Sequence, residues 1–207
     1  LGQLREAFPD LQRVSSYCLP RNLAKKTVEE LAQLKDAGLE ILYVGMESGD
    51  DEILSRVHKG ETWESTRSAL LKIREAGLTS SVMVLNGLGG ENLSRQHAIN
   101  TATLCNETQP DYLSTLVVSF PQGEERFREG FGDDFVPLSQ KGLFEEIRLF
   151  LEHLELDKTI FRSDHASNYL VLKGTLGRDK QKMLDQVNLA ITNPGAAPLR
   201  AEWMRGW

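Results

Sequence analysis

Lys35-Asp36-Ala37-Gly38-Leu39 returns, nearly unchanged, as Arg74-Glu75-Ala76-Gly77-Leu78, 39 residues later. In each copy a helical pattern ends in Ala-Gly-Leu, an apolar run follows, and a polar tip containing glycine closes the unit. Glycine just past the last helical residue adopts the left-handed cap conformation without steric cost. A helix–strand unit repeated at this length makes successive strands parallel and joins them by helical crossovers. The repeat therefore selects an α/β fold.

The first copy leads into Ile41-Leu-Tyr-Val-Gly-Met-Glu-Ser-Gly49, a strand over 40–45 that ends with the carboxylate of Glu47 between two glycines. Asp50-Asp51-Glu52 then opens a short helix through Ile53, Leu54 and Val57, stopped by Lys59-Gly60. Thr62 starts another helix, with Thr66, Ala69, Leu70 and Ile73 on one face. After the second copy, a strand over 79–85 empties into Asn86-Gly87-Leu88-Gly89-Gly90. Upstream, alternation predicts a strand over 13–18, stopped by Pro20, and Thr27-Val28-Glu29-Glu30 is a capping box. Downstream, Ala98, Ala102 and Cys105 mark a helix over 94–105, and a fourth strand spans 112–120.

After Gly123 the pattern changes. Residues 124–134 read as a charged surface excursion, and Leu143, Ile147, Phe150, Leu151 and Leu154 give an amphipathic helix over 139–156. A short strand at 159–161, a dense polar loop at 162–168, a helix over 178–191 and a poorly patterned tail complete the chain. The division expected is 1–137 for the parallel-strand part and 138–207 for a mostly helical extension.

Composition narrows the class. The net charge of −6 argues against a nucleic-acid surface, which normally needs a basic stripe. No apolar run approaches the roughly 18–20 residues of a membrane span, and no targeting segment is evident, so the expected location is cytoplasmic. The chain opens without methionine, as though inside a helix, and reads as the interior of a longer protein. Cys18 and Cys105 match no metal-ligand spacing and read as buried free thiols.

In a parallel α/β sheet, ligands bind where the strands' carboxyl ends converge. That rule gathers Tyr17, Glu47, Ser48, Asn86, Ser119 and Gln122 at one mouth. Plainer roles compete. Glu47 could cap the helix that opens at Asp50, Lys59 could serve only the dipole of that helix, and Asn86–Gly90 could be an ordinary turn. His58, His97 and His153 fall on helices, as surface or boundary residues, whereas His165 sits in the polar loop.

Glu47-Ser48-Gly49-Asp50-Asp51-Glu52-Ile53-Leu54, followed by Lys59-Gly60 and Thr62, resembles the segment after the fourth strand of radical S-adenosylmethionine (radical SAM) enzymes. The likeness runs from about Leu4 to Gly123. It is nearest the branch of the methylthiotransferases, the Elongator-type catalytic subunit and oxygen-independent coproporphyrinogen oxidase. The phrase Phe161–Asn168, with Tyr169-Leu170 and Lys173-Gly174 after it, is similar to a bacterial subgroup of the same superfamily.

The resemblance implies a partial TIM-type (β/α) barrel of parallel strands, with the family's strands three to six present. It implies S-adenosylmethionine as cofactor. Glu47 is then expected on its ribose or amino-acid part, Lys59 on its carboxylate, Gly87 near the adenosine and Ser119 offering backbone to the adenine. Ser48 adjoins this set, and Tyr17 stands where relatives carry an acidic group. Gln122, Arg162 and His165 are candidates for an unknown small-molecule substrate. The family also uses a 4Fe-4S cluster on three closely spaced cysteines after its first strand. Those ligands are absent from this chain, which is expected to be inactive alone.

The expected function is the middle and C-terminal part of an enzyme that cleaves S-adenosylmethionine reductively and abstracts hydrogen. The alternatives are a non-catalytic nucleoside-binding module and a barrel enzyme whose glycine tips cradle a phosphate-bearing substrate. An unpaired sheet edge near Arg13–Leu19 is expected to invite self-association.

Overall fold

The computed structural model describes residues 1–120, 123–132 and 135–206. Among them the elements run α1 (Gly2–Ala7), β1 (Val14–Cys18), α2 (Pro20–Ala24), α3 (Val28–Asp36), β2 (Leu39–Glu47), α4 (Asp51–Arg56), α5 (Trp63–Glu75) and β3 (Thr79–Asn86). They continue with α6 (Gly90–Thr108), β4 (Tyr112–Val117), α7 (Glu125–Phe131), α8 (Gln140–His153), β5 (Ile160–Ser163), β6 (Leu172–Thr175) and α9 (Leu176–Thr192).

Caps place the helix starts where the sequence marks them. Thr27 and Thr62 each form a capping box, and Asp50 and Ser139 accept from the backbone N–H three residues on. Gly38 and Gly77, the paired glycines of the repeat, have φ of 105° and 69°, as left-handed caps require.

The sheet has the order β1-β2-β3-β4-β5-β6 and does not close. Strands β1 to β5 are mutually parallel, and β6 returns antiparallel to β5. The fold is the α/β, parallel, partial-barrel arrangement expected, and its C-terminal part adds two strands as well as helices to the sheet. The eight residues between β5 and β6 are too short for a helical crossover, which forces the antiparallel return.

Helices cover one face of the sheet. Leu42, Val44 and Met46 of β2, Val82 and Val84 of β3, and Phe161 of β5 are buried beneath them. α8 packs between α6 and α9. The opposite face carries Tyr43, Gly45, Glu47, Ser81, Met83, Tyr112, Ser114 and Arg162 at half-buried or exposed positions. Period-two alternation thus separates a dry outer face from an open inner one.

Two stretches depart from the sequence reading. The supposed surface excursion contains helix α7, whose Phe127 and Phe131 stack at 4.6 Å and pack with Phe120 and Phe135. The four-residue spacing of Phe127 and Phe131 is a helical one, masked by the surrounding charge. The polar loop is shorter than expected, because Arg162 and Ser163 belong to β5.

The C-terminal tail straps that loop down. Arg200 donates to the carbonyls of Asp164 at 2.9 Å, Asn168 at 3.1 Å and His165, and Arg205 donates to that of Ser167 at 2.9 Å. Arg200→Ala is expected to cost about 1–2 kcal/mol, since charged donors to backbone carbonyls are lost from a partly exposed site. Thermal unfolding measures the loss, and amide exchange at 165–168 should rise with it. Unchanged exchange would show that the tail does not hold the loop. No helix of the described residues is long and apolar enough to cross a membrane.

Candidate functional site

The site is built on the tip of β2. Pairing with β3 shifts register between Gly45 and Glu47, so the strand carries a local irregularity at Met46. Glu47 ends it at φ 63°, a left-handed conformation that costs a non-glycine residue on the order of 1–2 kcal/mol. Burial of Met46 and Ser48 on either side, each fully inaccessible, holds it there. Its carboxylate forms an ion pair with Lys59, with the two side chains 23% and 12% exposed. Gly45 lies beneath: a Cβ there would stand 3.5 Å from Lys59 Nζ and 3.7 Å from Glu47 Oε1. Lys59 is fixed in turn by Arg21, which donates to its carbonyl at 2.6 Å and pairs with Glu61 at 2.9 Å.

Asp50 caps α4 by accepting from the Ile53 N–H at 3.0 Å, and Lys59 is engaged by Glu47.

Residues 48–50 are gripped by one face of α6. Ser48 Oγ lies 2.8 Å from His97 Nδ1 and accepts from the Asp50 N–H at 3.0 Å. The Gly49 N–H donates to Thr101 Oγ1 at 2.9 Å, and Asn100 donates to Asp50 Oδ2 at 2.6 Å. The ring's Nε2 lies 3.0 Å from the Leu85 carbonyl, which can only accept, so Nε2 carries a proton, while Nδ1 meets the serine hydroxyl. The Ser48 hydroxyl therefore faces α6, not the mouth. His97 is a correction to the sequence reading: it is 2% exposed, not a surface or boundary residue. Its place in the stripe of Ala98, Ala102 and Cys105 was the available clue.

The β3 tip is closed from the other side. The Gly87 N–H donates to Glu146 Oε1 at 2.6 Å, Asn86 donates to the Leu143 carbonyl at 3.2 Å, and a Cβ on Gly87 would lie 2.8 Å from Leu143. Glu146, missed by the sequence reading, sits on the apolar face of α8 between Leu143 and Ile147.

The remaining candidates are dispersed. Tyr17 is 82% exposed on β1, its ring 5.2 Å from that of Tyr43. Ser119 lies beyond the end of β4, half-buried. Arg162 projects from the inner face of β5, its guanidinium 5.7 Å from the Tyr112 ring centre. His165 accepts from the Ser167 N–H at 3.1 Å in the strapped loop. Gln122 lies outside the described residues. Glu47, Lys59 and Gly45 are thus brought together, with Tyr43 and Tyr17 along the same inner face.

The Radical SAM superfamily model matches residues 8–102, the stretch from before β1 into α6 that contains the Glu47–Lys59 pair. Over that segment, a little under half of the chain, the sequence is similar to the radical SAM superfamily. Among solved structures, it superposes on Elp3 of the archaeon Methanocaldococcus infernus, an N-terminal deletion form, with a TM-score of 0.61 and 18% identity, over 86% of this chain and 42% of that one. It superposes on methylornithine synthase (PylB) with a TM-score of 0.52 and 15% identity, over 96% of this chain and 62% of that one. At such identities the likeness is one of fold. The chain spans less than two thirds of either relative. No curated protein sequence matches it.

The buried Glu146 links the β3 tip to α8. Burial pushes its pKa up, against the opposing pull of His97, Ser94 and the Gly87 N–H. A carboxyl whose folded pKa exceeds its unfolded one binds a proton longer in the native state, so stability falls as pH rises from the unfolded pKa to the folded one. Glu146→Gln keeps an acceptor for Gly87 and removes the titration. The difference in stability between wild type and variant is expected to change by about 1.4 kcal/mol per pH unit, in the variant's favour, from about pH 4.5 up to the folded pKa. Denaturant melts across that range measure it, and parallel curves would refute the buried-charge account.

Proposed function

We propose that the chain is the cofactor- and substrate-holding part of a radical SAM iron–sulfur enzyme, one that cleaves S-adenosylmethionine reductively and abstracts hydrogen from a substrate. The observation that carries this reading is Glu47: a carboxylate kept at positive φ on a strand tip and paired with Lys59 over the bare Gly45. Backbone strain of this kind is retained where the surroundings over-determine it, and it concentrates at ligand sites. An amino-acid zwitterion suits the pair by exchange, its ammonium on Glu47 and its carboxylate on Lys59. Lysine supplies a point charge without arginine's bidentate fork. Bound S-adenosylmethionine supplies the radical precursor; these residues orient its amino-acid end, and Tyr17 and Tyr43 line the same face with aromatic surface.

The cluster is another matter. Cys18 and Cys105 stand on β1 and α6, and burial pushes their thiols up to about 11 and about 12, far from the thiolate that iron requires. Among the described residues no group of three or more His, Cys, Asp or Glu could hold a metal ion. The residues present do not fit a cluster, and the proposal assigns its ligands to sequence outside these 207 residues. The phosphate-cradle alternative loses its motive, because the Glu146 carboxylate occupies the Gly87 donor.

The test is a calorimetric titration of the folded 207-residue chain with S-adenosylmethionine. Saturable binding, competed by methionine, is expected. A folded chain that binds none would overturn the reading.

A further inference from the structure

The inner face holds a second feature that the Glu47 tip does not use. A pocket there is lined by Arg13, Tyr43, Ser81, Tyr112, Ser114 and Arg162, drawn from β1's approach and from β2 to β5. Both arginines are exposed, and among the described residues neither side chain forms a direct ion pair or hydrogen bond. Asp164, near Arg162, is held by Lys173 at 2.7 Å, and that contact, with a smaller pull from the Arg162 charge, lowers its pKa. Lys173 faces Arg162 across the β5–β6 ladder. In a chain of net charge −6, an inner wall with two unpaired guanidiniums is a local reversal of sign.

We propose that this wall binds an oxyanion, a carboxylate or phosphate carried by the substrate, with Arg162 as its principal donor. A guanidinium fork matches either group bidentately, and the Ser114 and Ser81 hydroxyls beside it add neutral donors. The Tyr112 ring under Arg162 steadies the guanidinium while leaving its N–H edge free to donate. The assignment rests on the reading of the inner face as the substrate side.

Register fixes how this site relates to the cofactor tip. Gly45 pairs with Met83, Met83 with Ser114, and Ser114 with Arg162, so Arg162 shares a layer with the residue beneath the Glu47–Lys59 pair. Three strand spacings separate them, about 14 Å along the sheet and less across its concave side. A metabolite-sized molecule anchored by its anionic end on Arg162 can therefore present its other end beside Glu47. The site selects for substrates with a fixed negative charge at one end.

The test follows the arginine Nε–H resonances of Arg162 and Arg13 in the full 207-residue chain by NMR. The chain is titrated with inorganic phosphate and with acetate at ionic strength held constant by chloride. A saturating shift with at least one oxyanion is expected, and the stronger of the two identifies which group the substrate carries. Arg162→Gln should weaken binding at least tenfold, and Arg162→Lys, which keeps the charge and loses the fork, should weaken it several-fold. Both variants should melt within a few degrees of wild type, because Arg162 is exposed and loses only a ring contact and a weak attraction to Asp164. Shifts that merely follow chloride, or Arg162→Gln binding as tightly as wild type, would overturn the proposal. S-adenosylmethionine added to the same sample separates the two readings. Oxyanion binding without cofactor binding upholds the pocket and sinks the cofactor site. Cofactor binding without oxyanion binding does the reverse.

Discussion

Gly49→Ala is expected to destabilise the protein by about 3 kcal/mol, at the upper end of overpacking penalties. A Cβ at this position would stand 2.7 Å from the Asn100 carbonyl oxygen, 2.7 Å from Thr101 Cα and 2.9 Å from Thr101 N. All three are backbone atoms of α6, which cannot swing aside as a side-chain end does. Relief requires β2 and α6 to separate, and the contacts that would stretch are those that hold residues 48–50: Ser48 to His97, the Gly49 N–H to Thr101, and Asp50 to Asn100. The unfolding midpoint should fall by roughly 6–12 °C for a chain of this size. Gly195→Ala is the control, since only an Asn193 side-chain atom at 3.9 Å meets its Cβ. A Gly49→Ala melt within a degree or two of that control would show that the two elements are not in close contact.

Glu47→Ala is expected to weaken S-adenosylmethionine binding roughly ten- to a hundredfold, which corresponds to the loss of a charged hydrogen bond worth about 1.5–3 kcal/mol. The same change leaves Lys59 without its partner but does not relieve the backbone, because alanine at φ 63° is as strained as glutamate. Glu47→Gly relieves it. The two variants should therefore share the loss of affinity and differ in stability, with the glycine form more stable by about 1 kcal/mol. Calorimetry and thermal melts on the pair separate the two contributions. If both variants bind the cofactor as wild type does while alanine lowers the melt, Glu47 is a structural residue and the site lies elsewhere.

Much of the fold was legible because its signals are local. Thr27, Asp50, Thr62 and Ser139 satisfy backbone donors three residues away, and Gly38 and Gly77 need no partner to adopt a left-handed cap. The buried face of α5 contains the four residues that its spacing marks, Thr66, Ala69, Leu70 and Ile73. The pairing of Glu47 with Lys59 was also within reach, since twelve residues of strand tip and one short helix return the chain to its start.

What escaped the sequence lies between elements far apart in the chain. His97 and Glu146 look like polar interruptions of apolar helix faces, and only packing shows that one braces Ser48 and the other holds Gly87. The antiparallel return of β6 and the strapping of residues 164–168 by Arg200 depend on where the chain ends arrive in space.

The carboxylate that opened the β2 tip has the same history. Sequence alone determined that Glu47 ends a parallel strand between glycines, because strand period, caps and repeat are properties of neighbouring residues. Only the tertiary structure decided that it is held at positive φ over Gly45, that Ser48 turns away toward α6, and that two unpaired arginines share its side of the sheet. Backbone strain and unpaired charge are set by what surrounds a residue, and those surroundings include helices and strands 40 or more positions away.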